Sequence, residues 1–271
     1  MKPTISTILL AALAAACAPT EQRVLEKALR QNPDSAAAHL ALGRYCYQTG
    51  RYECALQEYR AGVNLAPADG AGRGEYGHLL YFTCRYDEAL VQYRTALAQA
   101  PDDPSLHLWL GNLYGFLARD AEAEAEYRWL ARRNPGDPEP WVMLGSLFGA
   151  SQRWDQASEA YRRAVSLKPL DSSLWIMLGN SYVAGRRMAE AEPAYRAALS
   201  LDSENASAWT SLGRLHLQTL NWEEAAADFT AALLADPQNA EAKEGLALAL
   251  EKLKTREPGQ TRGMAAPAPA D

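Results

Sequence analysis

The sequence has no basic run interleaved with aromatic residues, and its acidic residues outnumber its basic ones, 33 to 27. A surface of that sign repels phosphate, so a nucleic-acid ligand is not expected. Histidine is scarce: His39, His78, His107 and His216 read as falling on unrelated faces of the pattern described below. None stands beside a carboxylate at metal-ligand spacing, so neither a metal, a cofactor nor a catalytic base is expected, and with them no small-molecule substrate. A phosphate-cradling loop is missing too. Gly70, Gly72, Gly74 and Gly77 are dense enough to suggest one, but no strand precedes them and no Lys-Ser or Lys-Thr pair follows. Long apolar runs are also absent. The longest, Ile5 to Ala16, is too short to span a bilayer as a mature helix.

What is present is a punctuation mark that recurs every 34 residues: Pro33, Pro67, Pro101, Pro135, Pro169 and Pro237, with Ser203 on the one rung that lacks proline. Two positions after each rung stand Ser35, Asp69, Asp103, Asp137, Asp171, Asn205 and Asn239. These side chains accept hydrogen bonds from the free N–H groups of a starting helix, and at Pro104 and Pro138 a proline follows where a helix tolerates it. Each rung therefore ends one helix and starts the next. Between rungs the apolar residues form two stripes of helical spacing, as in Trp141, Leu144 and Phe148 followed by Ala157, Tyr161, Ala164 and Val165. A fixed period of this length, with two helices in each unit, implies a stacked array. Its parts are a half repeat at 20–35, six repeats over 36–239 and a polar-faced capping helix at 240–254. The tail, 255–271, is rich in Pro, Gly and Ala, and reads as disordered.

The filled positions across 20–254 resemble those of the tetratricopeptide repeat (TPR) family. Glycine holds the eighth place of every repeat, from Gly43 to Gly213, and alanine the twentieth, from Ala55 to Ala225. The twenty-fourth place is aromatic throughout: Tyr59, Tyr93, Tyr127, Tyr161, Tyr195 and Phe229. A helix glycine costs about 1 kcal/mol against alanine, so its recurrence implies close approach of a partner helix. The resemblance implies an all-α, right-handed superhelical solenoid of antiparallel helix pairs, used for binding proteins and not for catalysis.

The same resemblance implies that first helices line a concave groove through repeat places 2, 5, 9, 12 and 13. Those places hold Leu40, Arg44, Tyr47 and Gln48, then Gly74, His78, Tyr81 and Phe82, then Leu108, Asn112 and Phe116. Further on they hold Val142 and Ser146, Ile176 and Asn180, and finally Thr210, Arg214, Leu217 and Gln218. No lysine stands there, which disfavours a clamp for acidic peptide tails. Instead Tyr47, Tyr81, Phe82 and Phe116 cluster as anchors for a protein or peptide segment, with Asn112 and Asn180 able to satisfy its backbone. Packing of Tyr81 and Phe82 under neighbouring helices is the competing reading. The glycine-rich second repeat suggests either a ligand close to its first helix or a soft helix. Glu122, Glu124 and Glu126 read as a solvated surface. Pro193 reads as lying in the first turn of its helix, which would alter the meeting angle of the fifth and sixth repeats.

The first 16 residues resemble a bacterial secretory signal, and Leu13 to Cys17 resembles the lipobox of lipoproteins, in which Cys17 becomes the lipidated first residue. Ordinary cleavage after Ala16 also fits. Removing 1–16 leaves a net charge of −7, with residues 17–19 as a short lipidated start. Ala18 then favours outer-membrane anchoring, facing the periplasm. Lipoproteins of this build resemble pilot proteins for type IV pilus secretins, scaffolds for cell-wall enzymes and parts of polysaccharide secretion machines; a soluble secreted adaptor is the further alternative. In an oxidising compartment two of Cys46, Cys54 and Cys84 could pair, but their spacing does not say which, and small buried thiols fit equally well.

Overall fold

The computed structural model describes residues 21–255. The segment expected to be a signal, Cys17 and the tail from 256 onward lie outside the described residues. Among the described residues there are helices and no strand, and they divide into two compact units, residues 21–130 and 131–255.

The first unit holds α1 (21–31), α2 (Ala36–Gln48), α3 (Tyr52–Leu65), α4 (Gly70–Phe82), α5 (Tyr86–Gln99), α6 (Pro104–Phe116) and the greater part of α7 (Asp120–Arg133). The second holds the end of α7, then α8 (Glu139–Ala150), α9 (Trp154–Leu167), α10 (Ser172–Ala184), α11 (Met188–Leu201), α12 (Ala206–Gln218), α13 (Trp222–Ala235) and α14 (Ala240–Thr255). Within each unit the helices pair antiparallel across short turns, α2 with α3, α4 with α5, α8 with α9, α10 with α11 and α12 with α13, and each pair packs on the next.

The residues that set the helix starts act as their chemistry dictates. Ser35, Asp69, Asp103, Asp137, Asp171, Asn205 and Asn239 each accept a hydrogen bond from a backbone N–H two or three residues on. The rungs themselves serve a second purpose. The fourth residue of a repeat turns back and hydrogen-bonds the rung carbonyl: His39 to Pro33, Arg73 to Pro67, His107 to Pro101, Trp175 to Pro169 and Trp209 to Ser203, at 2.8–3.0 Å. Only a carbonyl is needed there, which explains why Ser203 can replace proline.

Inside each helix pair the place-24 ring lies against the place-8 glycine. A Cβ on Gly111 would sit 2.6 Å from Tyr127, and one on Gly179 would sit 2.5 Å from Tyr195. All six place-20 alanines, Ala55 to Ala225, are fully buried. Small residues therefore set the helix spacing, and rings fill what remains.

Four expectations need correction. Two of the four histidines are related: His39 and His107 share repeat place 4, and their Nδ1 atoms meet Glu58 at 2.7 Å and Glu126 at 2.5 Å. These carboxylates come from the partner helix, 19 residues away, a pairing that local spacing does not reveal. Glu126 is consequently not a solvated charge, and Glu122 and Glu124 pair with Arg119 and Arg128. Pro193 lies inside α11, beyond its first turn, and the helix continues through it to Leu201. The glycines of α4 have a packing reason that neither expectation supplied: Cβ atoms on Gly72 and Gly74 would meet Leu40 at 2.7 Å and Leu106 at 2.9 Å, side chains of the flanking repeats.

The cysteine pairing is decided by distance. Cys46, near the end of α2, and Cys54, near the start of α3, form a disulfide with Cα atoms 5.9 Å apart, and Cys84 is an exposed free thiol.

Candidate protein-binding surface

In the first unit the anchors Tyr47, Tyr81, Phe82 and Phe116 are joined by two rings that sequence reasoning missed, Tyr52 and Tyr86. Each stands at the first residue of a second helix and leans on the last residue of the next repeat's first helix. Tyr52 meets Phe82 with ring centres 5.1 Å apart, and Tyr86 meets Phe116 at 4.5 Å. Tyr47 and Tyr81 complete the two sets, at 6.1 Å from Phe82 and 6.3 Å from Phe116. The recurrence of an aromatic at place 17 (Tyr52, Tyr86, Trp154, Trp222) was the available signal. Phe82 and Phe116 remain 53% and 58% exposed, which rules out the reading in which Phe82 is packed away, while Tyr47 and Tyr81 are half-buried. Two exposed phenylalanines, each flanked by two tyrosines, form apolar anchor points with polar rims.

Beside the first set lies a cavity of about 230 Å³ lined by Arg44, Tyr47, Gln48, Tyr59, Glu75, His78 and Trp109. Glu75 takes a two-pronged grip from Arg44, at 2.7 and 2.9 Å, and a third bond from the Tyr59 hydroxyl at 3.1 Å. That hydrogen bond to Glu75 holds the Arg44 guanidinium even further above neutrality, so the ion pair stays intact and the cavity carries no net charge. Burial pushes the His78 imidazole below its ordinary value, which keeps it neutral at pH 7. Its ring lies 5.5 Å from Trp109 and 6.0 Å from Tyr47.

In the second unit a cavity of about 320 Å³ is lined by Asn180, Val183, Ala184, Tyr195, Ser211, Arg214 and Leu215. Asn180 and Arg214 are exposed, and Arg214 also reaches Glu241 at 2.9 Å. Ile176 is half-buried against the core around Leu212, and in the first unit Leu108 is half-buried while Asn112 is exposed. Of the remaining groove places, Leu40, Gly74 and Thr210 are buried under their neighbours and line no open surface. In these three repeats place 5 points toward the adjacent repeat, whereas at Leu108 and Ile176 it stays partly open. Among the described residues, no group of three or more His, Cys, Asp and Glu is placed to hold a metal ion, and no helix is long and apolar enough to cross a membrane.

The helix pairs, the place-8 glycines under place-24 rings and the 34-residue register define a repeat scaffold. A tetratricopeptide repeat model matches residues 22–70, 119–171, 142–206, 176–220 and 210–255, and a TPR repeat model matches 77–115. The chain belongs to the tetratricopeptide repeat family.

Solved structures share the fold at low identity. The C-terminal part of a TPR repeat-containing protein from Cytophaga hutchinsonii is 16% identical, with 87% of this chain and 98% of that one covered and a TM-score of 0.73. YrrB, described as a TPR protein with an unusual peptide-binding site, is 20% identical over 69% of this chain and 96% of its own, with a TM-score of 0.55. A chain of the APC/C hetero-tetramer Cut9–Hcn1 is 20% identical at a TM-score of 0.52; this chain, 86% covered, spans 46% of its length. No curated protein gives a significant match.

Proposed function

We propose that the protein is a non-catalytic scaffold that docks a segment of a partner protein on the face carrying Tyr47, Phe82, Tyr81 and Phe116. The observation that carries this reading is the pair of exposed phenylalanines, repeated at the same place in successive repeats and each flanked by tyrosines. Large apolar rings held in water on a packed scaffold are typical of binding surfaces. YrrB, with its peptide-binding site, supports the general mode.

The finer part of the proposal is a lipid anchor at Cys17 that holds the array at the inner face of the outer membrane, as an assembly factor for an envelope machine such as a type IV pilus secretin. It is supported by the apolar run Ile5 to Ala16 ending at Cys17. A pull-down from detergent-solubilised membranes tests the partner: recovery of a secretin supports the assembly role, whereas recovery of murein hydrolases reverses it in favour of a cell-wall scaffold. Loss of binding in the Phe82→Ala, Phe116→Ala protein ties either partner to the proposed face. Mass spectrometry of the mature protein tests the anchor, which is rejected if the wild type carries no lipid and a Cys17→Ser variant still fractionates with membranes.

A further inference from the structure

Repeat place 16 holds Arg51, Arg85, Arg119, Arg153 and Arg187 in the first five repeats, and in four of them the residue three places on receives the guanidinium. Arg85 bonds Glu88 at 2.7 Å, Arg119 bonds Glu122 at 2.9 Å, Arg187 bonds Glu190 at 3.0 Å, and Arg153 bonds the neutral Gln156. The first repeat breaks the pattern. There Cys54 holds the receiving place and is bonded to Cys46, so Arg51 lacks the acceptor that its counterparts have. Its Nε turns to the Thr49 hydroxyl at 3.1 Å and its guanidinium lies 5.1 Å from the Tyr45 ring centre. Its Nη2 is buried with no hydrogen-bond partner among the described residues. A buried donor left without an acceptor is costly and rare.

The two sulfurs also differ in their surroundings. Cys54 is partly exposed and is the third residue of α3, a helix whose N-cap residue, Arg51, makes no side-chain bond to the free N–H groups. The positive end of the helix dipole and the guanidinium both favour an anion there. Cys46 is fully buried in the last turn of α2, where the dipole has the opposite sign and desolvation penalises charge. Of the carboxylates flanking Cys54 in α3, Glu53 is exposed and Glu58 is held by His39 at 2.7 Å. An open pair therefore carries its negative charge on Cys54. That thiolate gives Arg51 the anionic partner at place 19 that a disulfide sulfur, a weak acceptor, does not supply.

We propose that Cys46–Cys54 is a thiol-exchange site at which Cys54 is the reacting sulfur, Arg51 positions and stabilises its thiolate, and the co-substrate is a low-molecular-weight thiol or its disulfide, of the glutathione class. In the opening direction a thiolate RS− attacks Cys54 Sγ, because Cys46 offers no accessible sulfur. An RS–Sγ bond forms, the Sγ–Sγ bond breaks, and Cys46 leaves with the electron pair and takes a proton from water. A second RS− attacks the RS sulfur and releases RSSR and the Cys54 thiolate. Two thiols are thus oxidised to one disulfide while the pair gains two electrons, and closure by RSSR runs the same steps backwards. The site does not depend on the docking face.

The oxidised full chain, treated with reduced glutathione at pH 7 without denaturant, quenched in acid and read by peptide mass spectrometry, is expected to show the pair opening. In single variants, glutathione disulfide is expected to leave glutathione on Cys54 of the Cys46→Ser protein and none on Cys46 of the Cys54→Ser protein. The neutral reagent iodoacetamide then tests the arginine. A cation beside a thiol multiplies the thiolate near neutrality by about tenfold, partly offset by weaker nucleophilicity. Adding Arg51→Gln to Cys46→Ser is therefore expected to slow alkylation of Cys54 at pH 7 by about threefold, and Arg51→Lys to restore most of the rate. In denaturant these rates should converge. The same Arg51 comparison on the reduced wild-type cysteines keeps the test standing if a serine variant fails to fold. Glutathione found on Cys46, a disulfide that opens only after unfolding, or a Cys54 rate unmoved by Arg51→Gln overturns the inference.

Discussion

His216 Nδ1 lies 2.6 Å from Asp228 Oδ2, with both residues buried, at 4% and 8% exposure. The hydrogen bond to Asp228 raises the imidazole above its ordinary value of 6.5, against the opposing effect of burial, and Glu192, 3.8 Å from Nε2, adds to the rise. A folded-state value above the unfolded one means that the stabilisation is fully present below about pH 6.5 and is lost as pH rises through the folded value. The melting-temperature gap between wild type and His216→Gln is therefore expected to be widest near pH 6 and to narrow toward pH 9. Thermal unfolding across that range checks it, and a gap independent of pH rejects it.

The Cys46–Cys54 disulfide closes a loop of eight residues' separation. A chain-entropy treatment gives about 2.5 kcal/mol for a loop of that size. A Cys46→Ser, Cys54→Ser protein should lose most of this, read by denaturant unfolding and by faster hydrogen exchange confined to α2 and α3. Reductant should reproduce the effect in the wild type and leave the double variant unchanged.

Gly179→Ala sets two effects against each other. Alanine improves helix propensity by about 1 kcal/mol, but its Cβ would lie 2.5 Å from the buried Tyr195 ring. Overpacking costs about 1–3 kcal/mol, so net destabilisation is expected. Gly149→Ala has only Trp154 at 3.6 Å and should be neutral or stabilising by up to about 1 kcal/mol. Parallel urea titrations separate the two.

The turn residues at repeat place 15 adopt positive φ: Gly50 at 74°, Cys84 at 61°, Ala118 at 54°, Gln152 at 58°, Arg186 at 60° and Leu220 at 63°. Only the first is glycine. Leu220 is 66% exposed and gives up little packing, so Leu220→Gly is expected to stabilise by about 0.5–1 kcal/mol, net of glycine's extra unfolded-state entropy. A lower urea midpoint than wild type rejects this.

Helix starts were legible because capping acts over two or three residues, and each predicted cap from Ser35 to Asn239 makes its bond. The close approach at the place-8 glycines was legible for a related reason: recurrence of a costly residue signals a contact. The rings Tyr52 and Tyr86 escaped notice because they belong to second helices and join the surface only through the following repeat. His107 and Glu126 escaped for the same reason, since their partnership crosses from one helix to the next.

The chain's own order of residues thus determined the 34-residue period, the paired helices and the family, all of which rest on local hydrogen bonding and on one apolar stripe per helix. Only the tertiary structure decided which groove places stay open, sending Leu40 and Thr210 under their neighbours and leaving Phe82 and Phe116 in water. It also chose Cys54 over Cys84 as the partner of Cys46, and it turned Tyr127 and Tyr195 onto Asn112 and Asn180. Each of these outcomes depends on distances across helix pairs, which the packing of small residues against rings sets and no single segment contains.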